Sequence, residues 1–233
     1  MKIALFGYGK MGQMIERTAL DRDHTIVAKI DIDSQEIDFS NIDVAIDFSL
    51  PEAAFGNISK CLDNNTPIIS GTTGWLNKYD DAVTLCKEKQ GAFIYASNFS
   101  LGVNIFFELN AHLSKMMQGL EQYQVAIEEI HHTQKLDAPS GTAITLAEDV
   151  IKNSHYNAWK LNQKEQGHIP ITSKRIGSTP GTHTVAYNSL VDDITIKHTA
   201  HNRAGFAQGA VIAAEWIIGK TGVFTMRDVL NLG

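Results

Sequence analysis

The sequence predicts an α/β protein with two parts, a parallel sheet in the N-terminal part and an α+β arrangement with a mixed open sheet in the C-terminal part. Up to Ser100, short apolar runs alternate with segments of helical spacing, as in parallel strands joined by helices. Beyond Ser100 the pattern changes to one helix pair among strands that can pair antiparallel. We therefore expect one domain over residues 1–100 and a second over 101–204, with 205–233 returning to the first as a helix and tail.

Composition excludes several classes of protein. The chain has 233 residues, of which 43% are hydrophobic, enough for one large domain or two small ones. A net charge of −6 without a basic block argues against a nucleic-acid surface. Cys61 and Cys86 are too few for a disulfide framework and lack zinc-ligand spacing, so no metal site is predicted. The sequence shows no long apolar segment or leader, and we expect a cytoplasmic protein with no membrane partner.

The segment Gly7–Gly12 has the spacing of a glycine turn between a strand, Lys2–Phe6, and a helix. Its first glycine permits a tight turn, its second lets the backbone approach a pyrophosphate, and its third lets the helix pack close to the strand. A second strand, Thr25–Ile30, ends at Asp31, where an acid can bind the adenosine ribose hydroxyls. The first domain is therefore predicted to be a Rossmann-type domain that binds a nicotinamide dinucleotide.

The residues near Asp31 leave the choice of dinucleotide open. An acid at this position favours NAD, because a 2′-phosphate would meet a like charge. Lys10 and Lys29 could supply a counter-ion, although Lys29 is better interpreted as a solvated surface charge. We expect NADH or NADPH as the cofactor, with NADH preferred.

Three further runs predict buried parallel strands, namely Val44–Phe48, Pro67–Ser70 and Ala92–Ala96. Small polar residues follow the first two, in 49–51 and Gly71–Gly74. Ligands of open α/β sheets bind at the carboxyl ends of the strands. These loops are therefore predicted to leave room for the ribose and nicotinamide.

The segment Glu128–Ala143 contains two histidines, a lysine, an aspartate and a Ser-Gly-Thr turn. A strand, Gln124–Ile130, is predicted to end at His131 and His132. These histidines and Lys135 would supply movable protons and positive charge. An ordinary hydrogen-bonding histidine is the alternative interpretation of each histidine taken alone.

A helix is predicted to begin at Ser140 and Gly141 and to extend to about residue 153. A helix start offers unpaired N–H groups and a partial positive charge to a carboxylate or phosphate. An ordinary helix cap is the alternative. Together with the histidines and Lys135, the segment predicts a receptor that can also protonate an anionic small molecule.

The second domain is predicted to contain a four-stranded mixed sheet. The runs His183–Leu190 and Ile194–Thr199 are separated by a hairpin turn at 191–193 and would join Gln124–Ile130 and a strand near Ser173–Ile176. Helices at 102–117 and 141–153 would cover one face, leaving the other as a candidate subunit interface.

Arg203 precedes a predicted helix at Gly205–Gly219 and is well placed to bind a carboxylate bidentately, through two guanidinium N–H groups. An exposed structural arginine is the alternative. The apolar tail, Gly222–Leu230, is expected to pack on the first domain.

Several motifs in order along nearly the whole chain resemble one family: GYGKMG, GTTGW, SNFSLGVN, EIHHTQKLDAPSGTA, PGTHTV, HTAHNRAGFAQGAV and MRDVL. They are similar to the 4-hydroxy-tetrahydrodipicolinate reductase (dihydrodipicolinate reductase) family of lysine and diaminopimelate biosynthesis. The resemblance implies an oxidoreductase in which NADH or NADPH reduces a cyclic imine dicarboxylate, with loss of water, to tetrahydrodipicolinate. It also implies a homotetramer built through the sheet of a second domain that binds substrate.

The resemblance also implies roles for residues. His131 and Lys135 would be the catalytic pair, with Lys135 the proton donor and His131 assisting it. Ile32 follows Asp31 where several relatives carry arginine, which weakens the case for NADP. The residues implied for substrate binding are His132, Lys135, Ser140, Gly141, Thr142 and Arg203, and those implied for cofactor binding are Gly7, Gly9, Lys10, Met11, Gly12, Asp31, Phe48, Gly71, Thr72, Thr73, Ala96, Asn98 and Phe99.

Two other functions stay open at this point. An amino-acid dehydrogenase of the aspartate type would act on oxaloacetate and ammonia, and it does not require the order of residues seen in Glu128–Ala143. A non-catalytic dinucleotide sensor would bind the cofactor without turnover, and it leaves the second cationic site without a role.

Overall fold

The computed structural model describes residues 1–31 and 37–232, so Ile32 lies outside the described residues. The chain divides into two compact units, Met1–Asn104 with Ala204–Gly233, and Ile105–Arg203. The strands are β1 (Lys2–Phe6), β2 (Thr25–Ile30), β3 (Val44–Asp47), β4 (Ile68–Ser70), β5 (Ala92–Tyr95), β6 (Gln124–His131), β7 (Ala158–Leu161), β8 (His168–Arg175), β9 (Gly181–Asn188), β10 (Asp193–Ala200) and β11 (Gly222–Phe224). The main helices are α1 (Lys10–Leu20), α2 (Pro51–Asp63), α3 (Tyr79–Glu88), α4 (Leu101–Met116), α5 (Gly141–Ile151), α6 (Ala204–Ile217) and α7 (Met226–Val229).

The first unit contains a six-stranded parallel sheet with the order β11-β5-β4-β3-β1-β2. The predicted Rossmann-type domain is confirmed, and the sheet has one strand more than the sequence indicated. That strand, β11, lies in the tail and pairs Gly222 with Ala92 of β5. At three residues it is too short to show a strand pattern of its own.

The central strands of the first unit are buried along their whole length. Every residue of β3 is buried, including Val44 and Ile46. Strands covered on both faces carry continuous apolar runs rather than an alternating pattern, which is why β1 and β3 to β5 were recognisable from sequence. Helix α6 supplies Ala210, Val211 and Ile217 to the cluster that contains Ile3 of β1.

The second unit contains a five-stranded mixed sheet with the order β10-β9-β6-β8-β7. Strands β9 and β10 pair antiparallel, as do β6 and β9, whereas β6, β8 and β7 are parallel neighbours. The predicted mixed sheet is confirmed, but its predicted count of four strands is wrong because β7 was missed. Strand β8 also begins at His168 rather than near Ser173. Its early start was not predicted because Pro170 lies inside the run, and a proline argues against a strand.

Alternation along β6 places Val125, Ile127, Glu129 and His131 on the buried face of the second sheet. Val125 and Ile127 belong to an apolar cluster with Phe106 of α4 and residues of α5. Two charged or polar side chains therefore continue a row that begins as core. The predicted hairpin turn lies slightly earlier than expected, where the Ser189 amide donates to the Asp192 carbonyl at 3.0 Å.

Among the described helices, none is long and apolar enough to cross a membrane.

Helix α6 touches the segment after β5 with its backbone. A Cβ added to Gly209 would lie 1.7 Å from the Phe99 carbonyl oxygen. Real side-chain carbons do not approach a backbone oxygen this closely, so only glycine permits this packing.

We expect Gly209→Ala to lower the free energy of unfolding by about 3 kcal/mol or more, because the new methyl group must displace backbone. Gly56→Ala is the matched control, since Gly56 lies within α2 and a Cβ there would meet nothing within 4 Å. That variant should gain up to about 1 kcal/mol from helix propensity. Urea titration measures both; equal stability of the two variants would contradict the close contact.

Candidate active site

A cleft of about 870 Å³ opens in the first unit beside the glycine turn. Four residues expected to bind the cofactor line it, namely Gly7, Gly9, Asp31 and Phe48. Gly7 has a φ of +85°, and a Cβ on Gly12 would lie 2.3 Å from the Gly7 carbonyl oxygen. The first and third glycines thus have the tight turn and the close helix packing that the sequence predicted.

Helix α1 begins at Lys10, and its first intrahelical hydrogen bond runs from the Gln13 amide to the Gly9 carbonyl at 3.1 Å. The amides of Lys10, Met11 and Gly12 therefore precede the first amide that donates within the helix, and they have no intrahelical acceptor. Gly9 offers no side-chain cap. This helix start can bind an anion such as a pyrophosphate.

Lys29 is exposed but engaged. Its ammonium lies 2.6 Å from a Glu16 carboxylate oxygen and 2.9 Å from the Tyr8 hydroxyl. It also lies 4.4 Å from the centre of the Tyr8 ring. Lys29 is therefore a surface residue, as the sequence predicted, but its charge is paired with Glu16 rather than simply solvated. Lys10 is exposed.

Other residues expected to bind cofactor lie after β3, β4 and β5. The rings of Phe48 and Phe99 have centroids 5.7 Å apart. A Cβ on Gly71 would lie 2.3 Å from the Phe48 ring. Ala96 is half-buried and Thr73 is exposed, whereas the Asn98 side-chain oxygen accepts from the Ser100 amide at 2.9 Å.

Sequence reasoning missed Asp47, the fully buried carboxylate that organises these loops. Its oxygens accept hydrogen bonds from the hydroxyls of Ser49, Ser70 and Thr72 at 2.6, 2.7 and 2.8 Å, and from the Asn57 amide at 3.1 Å. The Thr72 hydroxyl also accepts from the Ser49 amide at 2.9 Å. The side chain of Thr72 is thus used inside the protein. The signal available in the sequence was an acid at the end of an otherwise apolar strand.

A group of polar and charged side chains lies on the buried face of the second sheet, around Glu129. Strand register places Glu129 opposite His183 of β9 and Ser173 of β8. The Ser173 hydroxyl donates to the carboxylate at 2.7 Å and the Arg175 guanidinium at 3.2 Å. Burial tends to raise the pKa of Glu129, but the adjacent His131 ring and the hydrogen bonds from Ser140 and Ser173 outweigh it and hold that pKa below its ordinary value.

His131, the predicted catalytic histidine, is buried beside this carboxylate. Its Nδ1 lies 3.3 Å from a Glu129 oxygen, without a regular hydrogen bond between them. Its ring centroid lies 5.0 Å from that of His183. His183 was missed as a site residue, although it lies in the PGTHTV motif.

Ser140 caps α5, and both of its polar groups are engaged within the protein. Its backbone amide donates to both Glu129 oxygens at 3.1 Å. Its hydroxyl accepts from the Ala143 amide at 3.2 Å and lies 3.1 Å from His183 Nε2. Gly141 is exposed and Thr142 half-exposed, and their amides precede the first intrahelical bond, from Ile144 to Ser140. At the start of α5, the backbone amides of Gly141 and Thr142 are therefore the donors that a ligand could use.

Lys135 lies on the loop between β6 and α5, and its ammonium donates to both oxygens of Asp137 at 2.7 Å. Arg175 fixes this loop by donating to the carbonyls of Asp137 at 2.6 Å and Lys135 at 3.3 Å. Hydrogen bonding to Lys135 lowers the pKa of Asp137. Neither Asp137 nor Arg175 was identified from sequence, because their partners depend on the loop conformation.

The structure thus brings His131, Ser140 and the loop of Lys135 together around Glu129. His132 follows β6 and is half-buried. Its backbone carbonyl accepts a hydrogen bond from the Lys135 amide at 3.1 Å. Arg203 is exposed and ends the second unit.

A dinucleotide-binding fold together with a protonatable, cationic cluster defines an oxidoreductase that uses a pyridine nucleotide. A family model described as the N-terminus of dihydrodipicolinate reductase matches residues 1–99, and one described as its C-terminus matches residues 102–230. The chain belongs to the dihydrodipicolinate reductase family.

Individual relatives agree with this assignment. A 4-hydroxy-tetrahydrodipicolinate reductase of Christiangramia forsetii is 58% identical over 99% of this chain and 98% of its own length. The Neisseria gonorrhoeae protein of the same name is 34% identical over 93% of this chain and 84% of its own. The solved structure of a dipicolinate-bound dihydrodipicolinate reductase from Paenisporosarcina sp. TG-14 has a TM-score of 0.80 at 23% identity, with 97% of both chains covered, and shares the fold.

His183 makes the folded protein sensitive to acid. Burial, and secondarily the neighbouring His131, lower the pKa of His183 from 6.5 to about 4, while Glu129 opposes the shift. The unfolded chain therefore binds a proton that the folded chain does not, and stability present at neutral pH is lost as the pH falls from 6.5 towards 4.

We expect the free energy of unfolding of the wild type to fall by about 2 kcal/mol more than that of His183→Gln between about pH 7 and pH 5. Glu129 adds little to the pH dependence of stability in this range. Its pKa is lowered in the folded protein, so its contribution to the free energy of unfolding is lost at lower pH. Urea titrations at several pH values give the comparison. Parallel losses in both proteins would mean that His183 titrates normally in the folded state.

Proposed function

We propose that the protein reduces 4-hydroxy-tetrahydrodipicolinate to tetrahydrodipicolinate, with hydride from NADH or NADPH and loss of water, in lysine and diaminopimelate biosynthesis. The observation that carries the proposal is the grouping of His131 and Ser140 around Glu129, to which Arg175 also ties the loop of Lys135. This grouping lies within a chain that matches the family over both units. The relatives bear the reductase name, and one solved relative holds dipicolinate, a cyclic dicarboxylate. Family membership speaks against the aspartate-type dehydrogenase and the non-catalytic sensor.

Proton supply follows from the chemistry of imine reduction. Loss of water from the hydroxyl-bearing carbon gives an imine conjugated with a carbon–carbon double bond. Hydride then adds to that conjugated system and displaces an electron pair towards the ring nitrogen, which must be matched by a proton. We assign that proton to the Lys135 ammonium and an assisting role to His131. In the structure Asp137 holds this ammonium from both oxygens. A substrate carboxylate has the same chemistry as Asp137 and can take over that contact.

The two substrate carboxylates need paired cations and donors, because unpaired charge in a dry site is costly. We assign them to the amides of Gly141 and Thr142 at the start of α5, with His132, Lys135 and Arg203 as cationic or donating side chains. Ser140 belongs to the same site as the cap that holds the helix start, since its own amide and hydroxyl are already bonded.

The cofactor is proposed to occupy the cleft of the first unit. The helix start at Lys10, Met11 and Gly12 would bind the pyrophosphate, and Asp31 the adenosine ribose. The nicotinamide half is assigned to the residues after β3, β4 and β5: Phe48, Gly71, Thr72, Thr73, Ala96, Asn98 and Phe99. NADH is preferred in this proposal, because Asp31 repels a 2′-phosphate and the nearby Lys29 is already paired with Glu16.

We further propose a cytoplasmic homotetramer that assembles through the second sheet. The helices α4 and α5 pack on the face that carries Val125, Ile127 and Val185. The opposite face presents small or β-branched residues such as Thr184 and Ala186, which are half-buried, and Thr195, which is exposed. A broad face of this kind suits sheet-to-sheet contact between copies.

The cofactor assignment is tested by following loss of reduced nicotinamide absorbance with substrate made in place from pyruvate and aspartate semialdehyde. We expect a higher kcat/KM with NADH than with NADPH, and Asp31→Asn should narrow that ratio by about tenfold as like-charge repulsion is removed. Asp21→Asn, an exposed carboxylate just after α1, should keep the wild-type ratio. Turnover of oxaloacetate with ammonia, but not of the imine, would instead favour the aspartate-type dehydrogenase.

The proton-donor assignment is tested by Lys135→Met and His131→Gln. Each should lower kcat by about 10²-fold or more if its side chain takes part in proton transfer. The Kd for NADH should stay near the wild-type value, because both residues lie in the second unit. Lys152→Met is the matched control, since that exposed lysine pairs with Asp149 at the end of α5. Wild-type turnover in both site variants would remove these residues from catalysis.

A further inference from the structure

Glu129 is the one carboxylate in the described residues of β6 that has no exposed surface. It lies two residues before His131 on the same face of the strand, whereas its neighbour Glu128 lies on the other face and pairs with Lys174 at 2.5 Å. A buried carboxylate is costly unless its oxygens are satisfied. We therefore looked for a role of Glu129 among the groups that surround it on the buried face.

Two parts of the proposed site meet at this carboxylate. Its oxygens lie 3.3 Å from His131 Nδ1 and 3.1 Å from the Ser140 amide that begins α5. Donors on β8, the Ser173 hydroxyl at 2.7 Å and the Arg175 guanidinium at 3.2 Å, hold the carboxylate from another side. His131 Nδ1 is buried and makes no regular hydrogen bond within the described part of the chain. The Glu129 carboxylate, 3.3 Å away, is the acceptor available to it.

We propose that Glu129 is a positioning residue of the reductase, which keeps the proton of His131 on Nδ1 and fixes the start of α5 through Ser140. This inference rests on the proposed function. A carboxylate facing one ring nitrogen stabilises the tautomer that carries hydrogen there, so the other nitrogen, Nε2, exchanges the proton. Through Ser140 the same carboxylate holds the amides of Gly141 and Thr142 in place. Proton delivery and carboxylate binding would then share one anchor.

A metal ion is the competing interpretation of this cluster. Ligand atoms of Glu129, His131 and His183 all lie within 4.8 Å of one another. The Arg175 guanidinium, however, lies 3.2 Å from Glu129 Oε1, and its positive charge opposes a divalent cation there. His183 Nε2 is also engaged with the Ser140 hydroxyl. These contacts favour hydrogen-bonded positioning over metal ligation.

The test compares Glu129→Gln with Glu128→Gln, two identical changes on adjacent residues of opposite faces. Glu129→Gln keeps an oxygen that can accept from Ser140 but removes the negative charge beside His131. We expect kcat to fall by about 10- to 100-fold, with the Kd for NADH unchanged. Glu128→Gln should retain the wild-type kcat, because its side chain pairs only with Lys174 among the ion pairs of the described residues.

The pH profile separates positioning from simple support of the fold. Loss of a buried negative charge favours the neutral forms of the groups around it, so the kcat/KM profile should move to lower pH in Glu129→Gln. The other charged or titratable groups near the carboxylate are His183, His198, Lys135, Asp137 and Arg175, and they remain in both variants. A kcat that falls only in proportion to the folded fraction, with an unchanged profile, would overturn the proposal.

Two measurements keep the proposal testable if Glu129→Gln folds poorly or the substrate proves different. Ser173→Ala keeps the charge but removes the 2.7 Å hydrogen bond, and it should lower kcat several-fold, by roughly 3 to 10 times, without moving the profile; an unchanged kcat would count against positioning. The ¹⁵N resonances of the His131 ring report its tautomer without turnover. A wild-type ring protonated on Nε2 rather than Nδ1 would refute the inference even if the reductase activity is confirmed, whereas absent turnover with the expected tautomer would refute the activity alone.

Discussion

The arrangement of the second unit depends on a carboxylate that the sheet buries at the level of its apolar core. Glu129 occupies a position that alternation along β6 reserves for core residues such as Val125 and Ile127. The cost of removing its charge from water is offset by the Ser173 hydroxyl and the Arg175 guanidinium on β8 and by the Ser140 amide. Because these donors come from separate elements, the carboxylate can be satisfied only when β6, β8 and the start of α5 are all in place.

The first unit uses a similar device at a different position. Asp47 ends β3 with no exposed surface and accepts from hydroxyls of Ser49, Ser70 and Thr72. Those hydroxyls lie at the ends of neighbouring strands, where loops would otherwise be free to move. In both units a buried acid therefore orders the loops at the edge where ligands are proposed to bind. Because the buried acids use the inner donors, exposed groups such as the Gly141 amide stay available to a ligand.

Patterns with a strong local cause were predictable from the sequence. Buried parallel strands show continuous apolar runs, the glycine turn has fixed spacing, and the cap at Ser140 marks the start of α5. The missed features depend on partners far away in sequence. Strand β7 is half-buried and only four residues long, and β11 is recognisable only by its pairing with β5. Likewise, neither Glu129 nor His183 reveals its role until strand register places them opposite each other. Ser140 shows the same limit, since its position was predictable but the engagement of its amide by Glu129 was not.

The chain order of the first unit has a consequence for its synthesis. Its core combines Ile3 near the N-terminus with Ala210, Ile217 and Met226 near the C-terminus, and β11 pairs with β5 only after residues 222–224 have been made. The second unit is contiguous, from Ile105 to Arg203. During synthesis, the second unit can therefore complete its own core before residues 207–226, which the core of the first unit requires, have been made. Until then, the apolar strands of the first unit lack partners that bury them in the folded protein.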